Sequence, residues 1–405
     1  MNVIIRPSRA KGEAISPPSK SMAHRMLICA ALSDGTSNIE NIAYSEDILA
    51  TIDCIESLGA TVEKKENSVK VTGIGSDKRT GPVSFYCRES GSTLRFFVGI
   101  AMAVCPEAFF YGSERLMARP LTVYEKICDS QGIDFFSGDH IHIKGNIKPG
   151  EYELAANISS QFISGLLFAL PMLDGDSTIR FNTGIESGSY IDLTIEALAG
   201  FGVRVDRTDE KTMFIPGNQV YKSCDCVVEG DYSNAAFLDV FNAIGGDVTV
   251  SGLKQNSIQG DRVYRELFDR IKSTSPVIDL SDCPDLGPVL MAAAACNNGA
   301  VFTGTARLKI KESDRGRVMS DLLSSFGVDT VYEDDRIEVK KCVLQKPASP
   351  VDGCNDHRIV MTAATLLSLT GGQITGAEAV KKSYPDYFDV IRKLNIEVET
   401  DGMDQ

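Results

Sequence analysis

Two kinds of helix alternate along this chain with a period of roughly 70 residues, and that period limits the possible folds more than any other feature of the sequence. One kind is apolar on almost every side and so has to be buried on every side: 19–32, 90–103, 159–170, 232–241, 285–295 and 356–366. The other kind is amphipathic and falls between successive members of the first. Its anchors are Ile48, Ile52, Ile55 and Leu58, then Ile191, Ile195 and Leu198, then Val263, Leu267 and Ile271, then Phe388, Ile391 and Leu394. Most amphipathic helices end at Gly or Asn and run into a pair of alternating strands, as at 59–63 with 68–72, 132–135 with 140–143, and 327–330 with 336–339; 202–205 repeats the opening strand. The buried helices begin near 20, 90, 159, 232, 285 and 356, so the fourth interval is shorter by about 17 residues, and the hairpin is what it lacks.

A unit of two helices and several strands is too large for a solenoid repeat, and 405 residues are too many for one ordinary core, so the six units divide into two lobes of three. The lobes expected are 16–226 and 227–405, with crossovers near 12–18 and 224–230. The last unit ends in a strand at 396–399 that needs partners, while the strand 3–6 is left over at the front. Residues 1–15 are therefore assigned to the second lobe, with both ends of the chain side by side.

Charge collects where these helices begin. Lys20, Ser21 and Arg25 open the first buried helix, Gly91, Ser92 and Arg95 the second, Ser159, Ser160 and Gln161 the third, Asp285 the fifth, and His357 and Arg358 the sixth. Arg119, Ser187 with Tyr190, Lys311 with Arg315, and Lys382 stand before amphipathic helices. The stretch 305–327 is the densest case: Lys309, Lys311, Glu312, Asp314 and Arg315 crowd one turn, and Val318, Leu322 and Phe326 predict a helix with Asp314 near its N-cap. Ser and Asp at such positions are ordinary caps worth about 1 kcal/mol each. Arg95 has Glu89 as a possible ion-pair partner, and His357 reads as a hydrogen-bonded structural residue. Lys and Arg have no such explanation, because the helix dipole disfavours cations at an N-terminus, and their presence there calls for a bound anion. If the helices of a lobe run roughly parallel, their starts share a face. Two such faces across a cleft would focus several helix dipoles and about eight cations on one site.

The net charge of −14 argues against nucleic acid or an anionic membrane as partner, and leaves room for a small anion in a local basic pocket. A hydrophobic share of 43% with 24% charged residues is that of a soluble globular chain. Residues 1–6 lack the basic stretch and apolar core of a signal peptide and no segment reaches the length of a membrane span, so a cytoplasmic protein is expected. The 11 scattered cysteines fit reduced, buried thiols; Cys224-Asp-Cys226 has no histidine near it, and no metal is expected there.

Six motifs bring these features together: Pro18-Ser-Lys-Ser21 with Arg25, Glu89-Ser-Gly-Ser-Thr-Leu-Arg95, Ser159-Ser-Gln161, Lys311-Glu-Ser-Asp-Arg315, Asn355-Asp-His-Arg358 and Lys382-Ser-Tyr-Pro-Asp-Tyr-Phe388. In this order, over essentially the whole chain, they resemble the 5-enolpyruvylshikimate-3-phosphate synthase family. The resemblance implies an α/β fold: a two-lobed inside-out α/β barrel, each lobe three βαβαββ units, with buried helices whose N-termini face the interlobe cleft. It implies transfer of the enolpyruvyl group of phosphoenolpyruvate to the 5-hydroxyl of shikimate 3-phosphate with release of phosphate, by a monomer, without metal or organic cofactor. Carried over by position, Lys20, Ser21, Arg25, Ser159, Ser160, Gln161, Ser187, Tyr190, Asp285 and Lys311 hold shikimate 3-phosphate. Lys20, Gly91, Ser92, Arg119, Gln161, Arg315, Arg358 and Lys382 hold phosphoenolpyruvate.

The implied chemistry needs a base for the attacking hydroxyl and an acid for the methylene carbon. Asp285 is taken as the base and Glu312 as the acid, with Lys311 assisting and Lys20 counted in the catalytic set; the lobes are expected to close on the first substrate. Pro18, Glu89 and Arg307 depart from the family pattern, standing where Gly, Asn and Asn are common. The alternative of the same fold is UDP-N-acetylglucosamine enolpyruvyl transferase, which uses a cysteine on a mobile loop; Gly112-Ser-Glu-Arg-Leu-Met-Ala-Arg119 contains none. A non-catalytic repeat scaffold would not need cations at so many helix starts, and an RNA phosphate cyclase would want a basic surface.

Overall fold

The computed structural model describes residues 1–155, 159–183 and 188–401. Its α-helices among the described residues are α1 (Lys20–Leu32), α2 (Glu46–Leu58), α3 (Gly91–Val104), α4 (Glu114–Met117), α5 (Thr122–Gln131), α6 (Ser160–Ala169) and α7 (Gly188–Gly200). They continue as α8 (Tyr232–Ala243), α9 (Tyr264–Ser273), α10 (Gly287–Cys296), α11 (Arg315–Ser325), α12 (His357–Thr370) and α13 (Tyr387–Lys393). The chain divides into two compact units: a middle unit, Pro18–Glu229, and an end unit, Met1–Pro17 with Gly230–Gln405. Each has its own apolar core.

The middle unit contains three four-stranded sheets of one pattern, a parallel pair followed by two antiparallel neighbours. Cys226–Val227 pairs with Thr36–Glu40, then Ser68–Thr72 and Thr61–Lys64. Val83–Tyr86 pairs with Glu107–Tyr111, then Ile141–Lys144 and Asp134–Ser137. Glu151–Leu154 pairs with Ser177–Phe181, then Thr212–Ile215 and Asp206–Asp209. Beyond their polar first turns, α3 and α6 meet backbone against backbone: a Cβ on Gly99 would lie 2.5 Å from the Gly165 carbonyl oxygen. That approach sets the first turns of α3 and α6 beside each other.

The end unit repeats the pattern twice. Val277–Asp279 pairs with Ala300–Thr303, then Arg336–Val339 and Thr330–Tyr332. Val351–Asp352 pairs with Gly372–Thr375, then Val3–Ile5 and Val398–Thr400, so the leading strand completes the last sheet and the amide of Asp401 bonds the Asn2 carbonyl at 3.0 Å. The short fourth unit has only Lys11–Ile15 parallel to Asp247–Ser251, without the antiparallel hairpin. Where a hairpin strand would pair, the side chain of Asn242 accepts the Val248 N–H at 2.7 Å and donates to its carbonyl at 2.7 Å.

Two expectations shift. The strand expected at 202–205 begins at Asp206 instead, because the Arg204 N–H and carbonyl are taken by the side chain of Gln219 at 2.7 and 2.9 Å. Val263 is no anchor: it ends a 3-10 turn, Gly260–Val263, and is 38% exposed, and that turn rotates Tyr264 and Phe268 inward beside Leu267 and Ile271. No helix among the described residues is long and apolar enough to cross a membrane.

Candidate active site

In the end unit the charged residues converge on Arg315, the first residue of α11. Asp314 is its N-cap, accepting the Arg317 N–H at 3.2 Å. The Arg315 side chain is 1% exposed, so its guanidinium has to be satisfied internally. Nε donates to Asp356 Oδ2 at 2.8 Å, Nη1 to Asp285 Oδ1 at 2.9 Å, and Nη2 to Glu312. Burial opposes its charge, but Asp356, Glu312 and Asp285 more than compensate and raise its pKa. Asp356 is the N-cap of α12, holding the Arg358 N–H at 3.0 Å, and also accepts the Ser313 hydroxyl at 2.9 Å, so one carboxylate ties α12 to the start of α11.

Asp285 lies in the turn Pro284–Leu286 before α10 and gathers three cations: Arg315 at 2.9 Å, Lys311 at 3.1 Å and Arg358 at 3.1 Å. Burial favours its neutral form, yet Arg358, Lys311 and Arg315 together hold the carboxyl well below the usual range. Burial lowers the pKa of Lys311, with Asp285 opposing. Arg358 Nε and Nη1 are buried with no hydrogen-bond partner among the described residues, although its guanidinium lies over the Phe237 ring. Lys382 Nζ donates to the Asn355 carbonyl at 2.8 Å. Asp261, buried behind this cluster, is pushed up to about 7 by burial and by Asp285, with Arg358 pulling the other way.

In the middle unit the expected residues form three groups. Lys20 Nζ is 2.9 Å from Asp47 at the start of α2. Arg25 is buried and donates to Thr194 Oγ1 at 2.8 Å and to the carbonyls of Ser21 and Tyr190 at 2.6 and 2.8 Å; burial lowers its pKa to about 10. Gln161 bridges two helix starts, donating to Ser92 Oγ at 2.7 Å and accepting from Arg95 at 2.7 Å. Arg95 thus meets Gln161 in addition to having Glu89 nearby in sequence. Ser159 caps α6, and Ser160 is buried beneath it. Gly91 gives Arg119 room: a Cβ there would stand 2.4 Å from Arg119 Nη1, and Arg119 Nε is buried without a partner among the described residues. Ser187 lies outside the described residues.

Sequence reasoning passed over Asp47, Asp261, Ser313 and Asp356 as participants. Asp356 had a signal, an Asp immediately before His-Arg at a helix start, which reads as a cap; its second duty toward Arg315 is visible only in three dimensions. Among the described residues no group of three or more His, Cys, Asp or Glu is arranged to hold a metal.

The family model for EPSP synthase (3-phosphoshikimate 1-carboxyvinyltransferase) matches residues 4–391. Relatives named 3-phosphoshikimate 1-carboxyvinyltransferase from Clostridium kluyveri and Clostridium beijerinckii are each 40% identical to this chain, over 98% and 97% of both partners. A solved structure of EPSP synthase from Acinetobacter baumannii superposes with a TM-score of 0.77 at 25% identity, covering 98% of this chain and 100% of that one. The enolpyruvyl transferase NikO from Streptomyces tendae superposes with a TM-score of 0.78 over 98% of each chain, but at 12% identity that likeness concerns the fold alone.

Proposed function

The chain belongs to the EPSP synthase family, and from that membership we propose that it transfers the enolpyruvyl group of phosphoenolpyruvate to the 5-hydroxyl of shikimate 3-phosphate, releasing phosphate through a tetrahedral intermediate. The observation that carries the assignment of roles is the meeting of Lys311, Arg315 and Arg358 on Asp285 with Glu312 on the same Arg315. Two carboxylates and three cations in one cluster can move a proton each way and stabilise a departing phosphate.

Phosphoenolpyruvate goes to Lys20, Gly91, Ser92, Arg119, Gln161, Arg315, Arg358 and Lys382. Shikimate 3-phosphate goes to Lys20, Ser21, Arg25, Ser159, Ser160, Gln161, Ser187, Tyr190, Asp285 and Lys311. Each substrate carries a carboxylate and a phosphate of about −1.5 to −2, so the pair brings roughly five to six negative charges. Lys20, Arg25, Arg119, Lys311, Arg315, Arg358 and Lys382 oppose them. Arg25 acts mainly by fixing the backbone of Ser21 and Tyr190, since its own donors point there.

The ion pairs define an order of events. Asp285 under three cations is a weak base; substrate anions that draw Lys311 and Arg358 toward themselves restore its basicity toward the 5-hydroxyl. A substrate carboxylate on Arg315 competes with Glu312 and frees that side chain to carry the proton delivered to the methylene carbon. Lys311, bonded to the same Asp285 oxygen as Arg315, assists either transfer. The test is a phosphate-release assay with phosphoenolpyruvate and each of two acceptors, shikimate 3-phosphate and UDP-N-acetylglucosamine. Release only with shikimate 3-phosphate is expected, with Asp285→Ala and Glu312→Gln losing turnover far more than binding. Near-normal turnover by Glu312→Gln would pass the acid role to Lys311.

A further inference from the structure

Four polar side chains that the roles above leave unused lie end to end inside the middle unit. His24 of α1, Thr51 of α2, Thr93 of α3 and Ser90, the N-cap of α3, are each no more than 1% exposed. His24 Nδ1 is 2.7 Å from Thr51 Oγ1, which is 2.8 Å from Thr93 Oγ1, which donates to Ser90 Oγ at 2.7 Å. The other acceptor within reach of Thr93, the Asp47 carbonyl, is at 3.5 Å.

The chain has a direction. Burial, with Lys20 and Arg25 close by, holds the His24 imidazole well below its usual pKa, so it is neutral and carries one N–H. Its Nε2 is buried with no partner among the described residues. An unpaired lone pair is cheaper to bury than an unpaired N–H, so the proton belongs on Nδ1 and is donated to Thr51. Thr51 then donates to Thr93, and Thr93 to Ser90. Ser90 Oγ also accepts the Thr93 N–H at 3.2 Å. With both lone pairs engaged, a serine has only its O–H left to offer, and no described residue accepts it. Ser90 immediately precedes Gly91, where Arg119 reaches the start of α3 with its own buried Nε unpartnered among the described residues.

We infer that the His24–Thr51–Thr93 relay makes Ser90 an oriented hydrogen-bond donor to the phosphate of phosphoenolpyruvate at the start of α3, beside Gly91 and Arg119. The inference rests on the assignment of Gly91, Ser92 and Arg119 to that substrate. Hydrogen bonds in series polarise one another, and the relay stops Ser90 from turning its proton inward to Thr93.

Ser90→Gly removes the donor while keeping a residue that caps α3 almost as well; Ser90→Thr keeps both; Thr51→Val breaks the relay away from any ligand. Loss of a hydrogen bond to a charged group costs about tenfold or more. Ser90→Gly is therefore expected to raise KM for phosphoenolpyruvate at least tenfold with KM for shikimate 3-phosphate within twofold, Ser90→Thr to restore it, and Thr51→Val to raise it about threefold. A phosphoenolpyruvate KM unmoved by Ser90→Gly, or both KM values rising together, overturns the inference. Inorganic phosphate probes the same contact without turnover: its stabilisation of the fold in a thermal shift should drop in Ser90→Gly and survive in Ser90→Thr. A chain that turns over nothing yet shows this phosphate pattern would sink the reaction and leave Ser90 as an anion donor. Turnover with neither pattern would sink Ser90 alone.

Discussion

Gly91→Ala is the smallest change that separates substrate positioning from stability. The added Cβ would stand 2.4 Å from Arg119 Nη1, 3.3 Å from Arg95 Nη1 and 3.6 Å from Arg119 Cζ, against ordinary contact from 3.4 Å. The Arg119 guanidinium therefore has to retreat by about 1 Å. A misplacement of about 1 Å in a positioning group costs up to about 100-fold in rate, and a weakened charge-assisted hydrogen bond costs about 1.5–3 kcal/mol, or about 10- to 150-fold. KM for phosphoenolpyruvate should rise about 10- to 100-fold, and KM for shikimate 3-phosphate should stay within twofold. Stability should not fall: the displaced atoms are the far end of a flexible side chain, and Gly→Ala at the first residue of a helix is worth about 0.4–1 kcal/mol in its favour. Steady-state kinetics with each substrate varied, alongside thermal melts, reads all three. Arg119→Ala in the same background completes a double-mutant cycle, and the second change should add far less than it does alone. An unchanged phosphoenolpyruvate KM, or fully additive effects, would refute the claim that Gly91 acts through Arg119.

Arg358→Ala removes two buried guanidinium nitrogens whose N–H groups no described residue accepts and should raise KM for phosphoenolpyruvate by about 10-fold or more; kinetics with shikimate 3-phosphate varied should move far less. Asp356→Ala strips Arg315 and Ser313 of a fully buried partner and uncaps α12, costing about 3–5 kcal/mol for the broken pair and about 1 kcal/mol for the cap. Asp356→Asn keeps a cap oxygen and should recover the smaller part in urea denaturation. Asp261 binds its proton more tightly folded than unfolded, with its folded value pushed up to about 7, so its contribution to stability declines as pH rises from about 4 to 7 and levels off above that. Asp261→Asn should therefore gain on the parent chain between pH 5 and pH 8 in denaturant midpoints; parallel pH curves would show that Asp261 does not titrate there.

Most of the architecture was legible because it is written in local periods. The helix after Asp314 could be placed from Val318, Leu322 and Phe326, and the cap bond from Asp314 to the Arg317 amide is the one a sequence reading expects. The missing fourth hairpin was legible as a short interval. What failed did so where a single side chain overrides the local pattern: Gln219 takes the backbone of Arg204, and a 3-10 turn rotates Val263 out of the core. Candidate site residues were legible as cations at helix starts, where capping alone gives no reason for them. Their partners were not. Nothing near Lys20 in sequence points to Asp47, and nothing near Arg315 points to Asp356, 41 residues away. The His24 relay joins three helices and has no signature in any one of them.

One side chain also occupies the open rim of the curtailed fourth sheet. A strand with bare amides and carbonyls on its rim is a template on which foreign chains polymerise; five of the six sheets among the described residues extend this position with an antiparallel hairpin, which carries the open rim outward. The sixth substitutes one carboxamide, Asn242, lying like a single borrowed peptide group along Val248. Asn242→Leu is therefore expected to leave both KM values unchanged and to raise light scattering on concentration; equal scattering by the two proteins would show that this rim needs no cover.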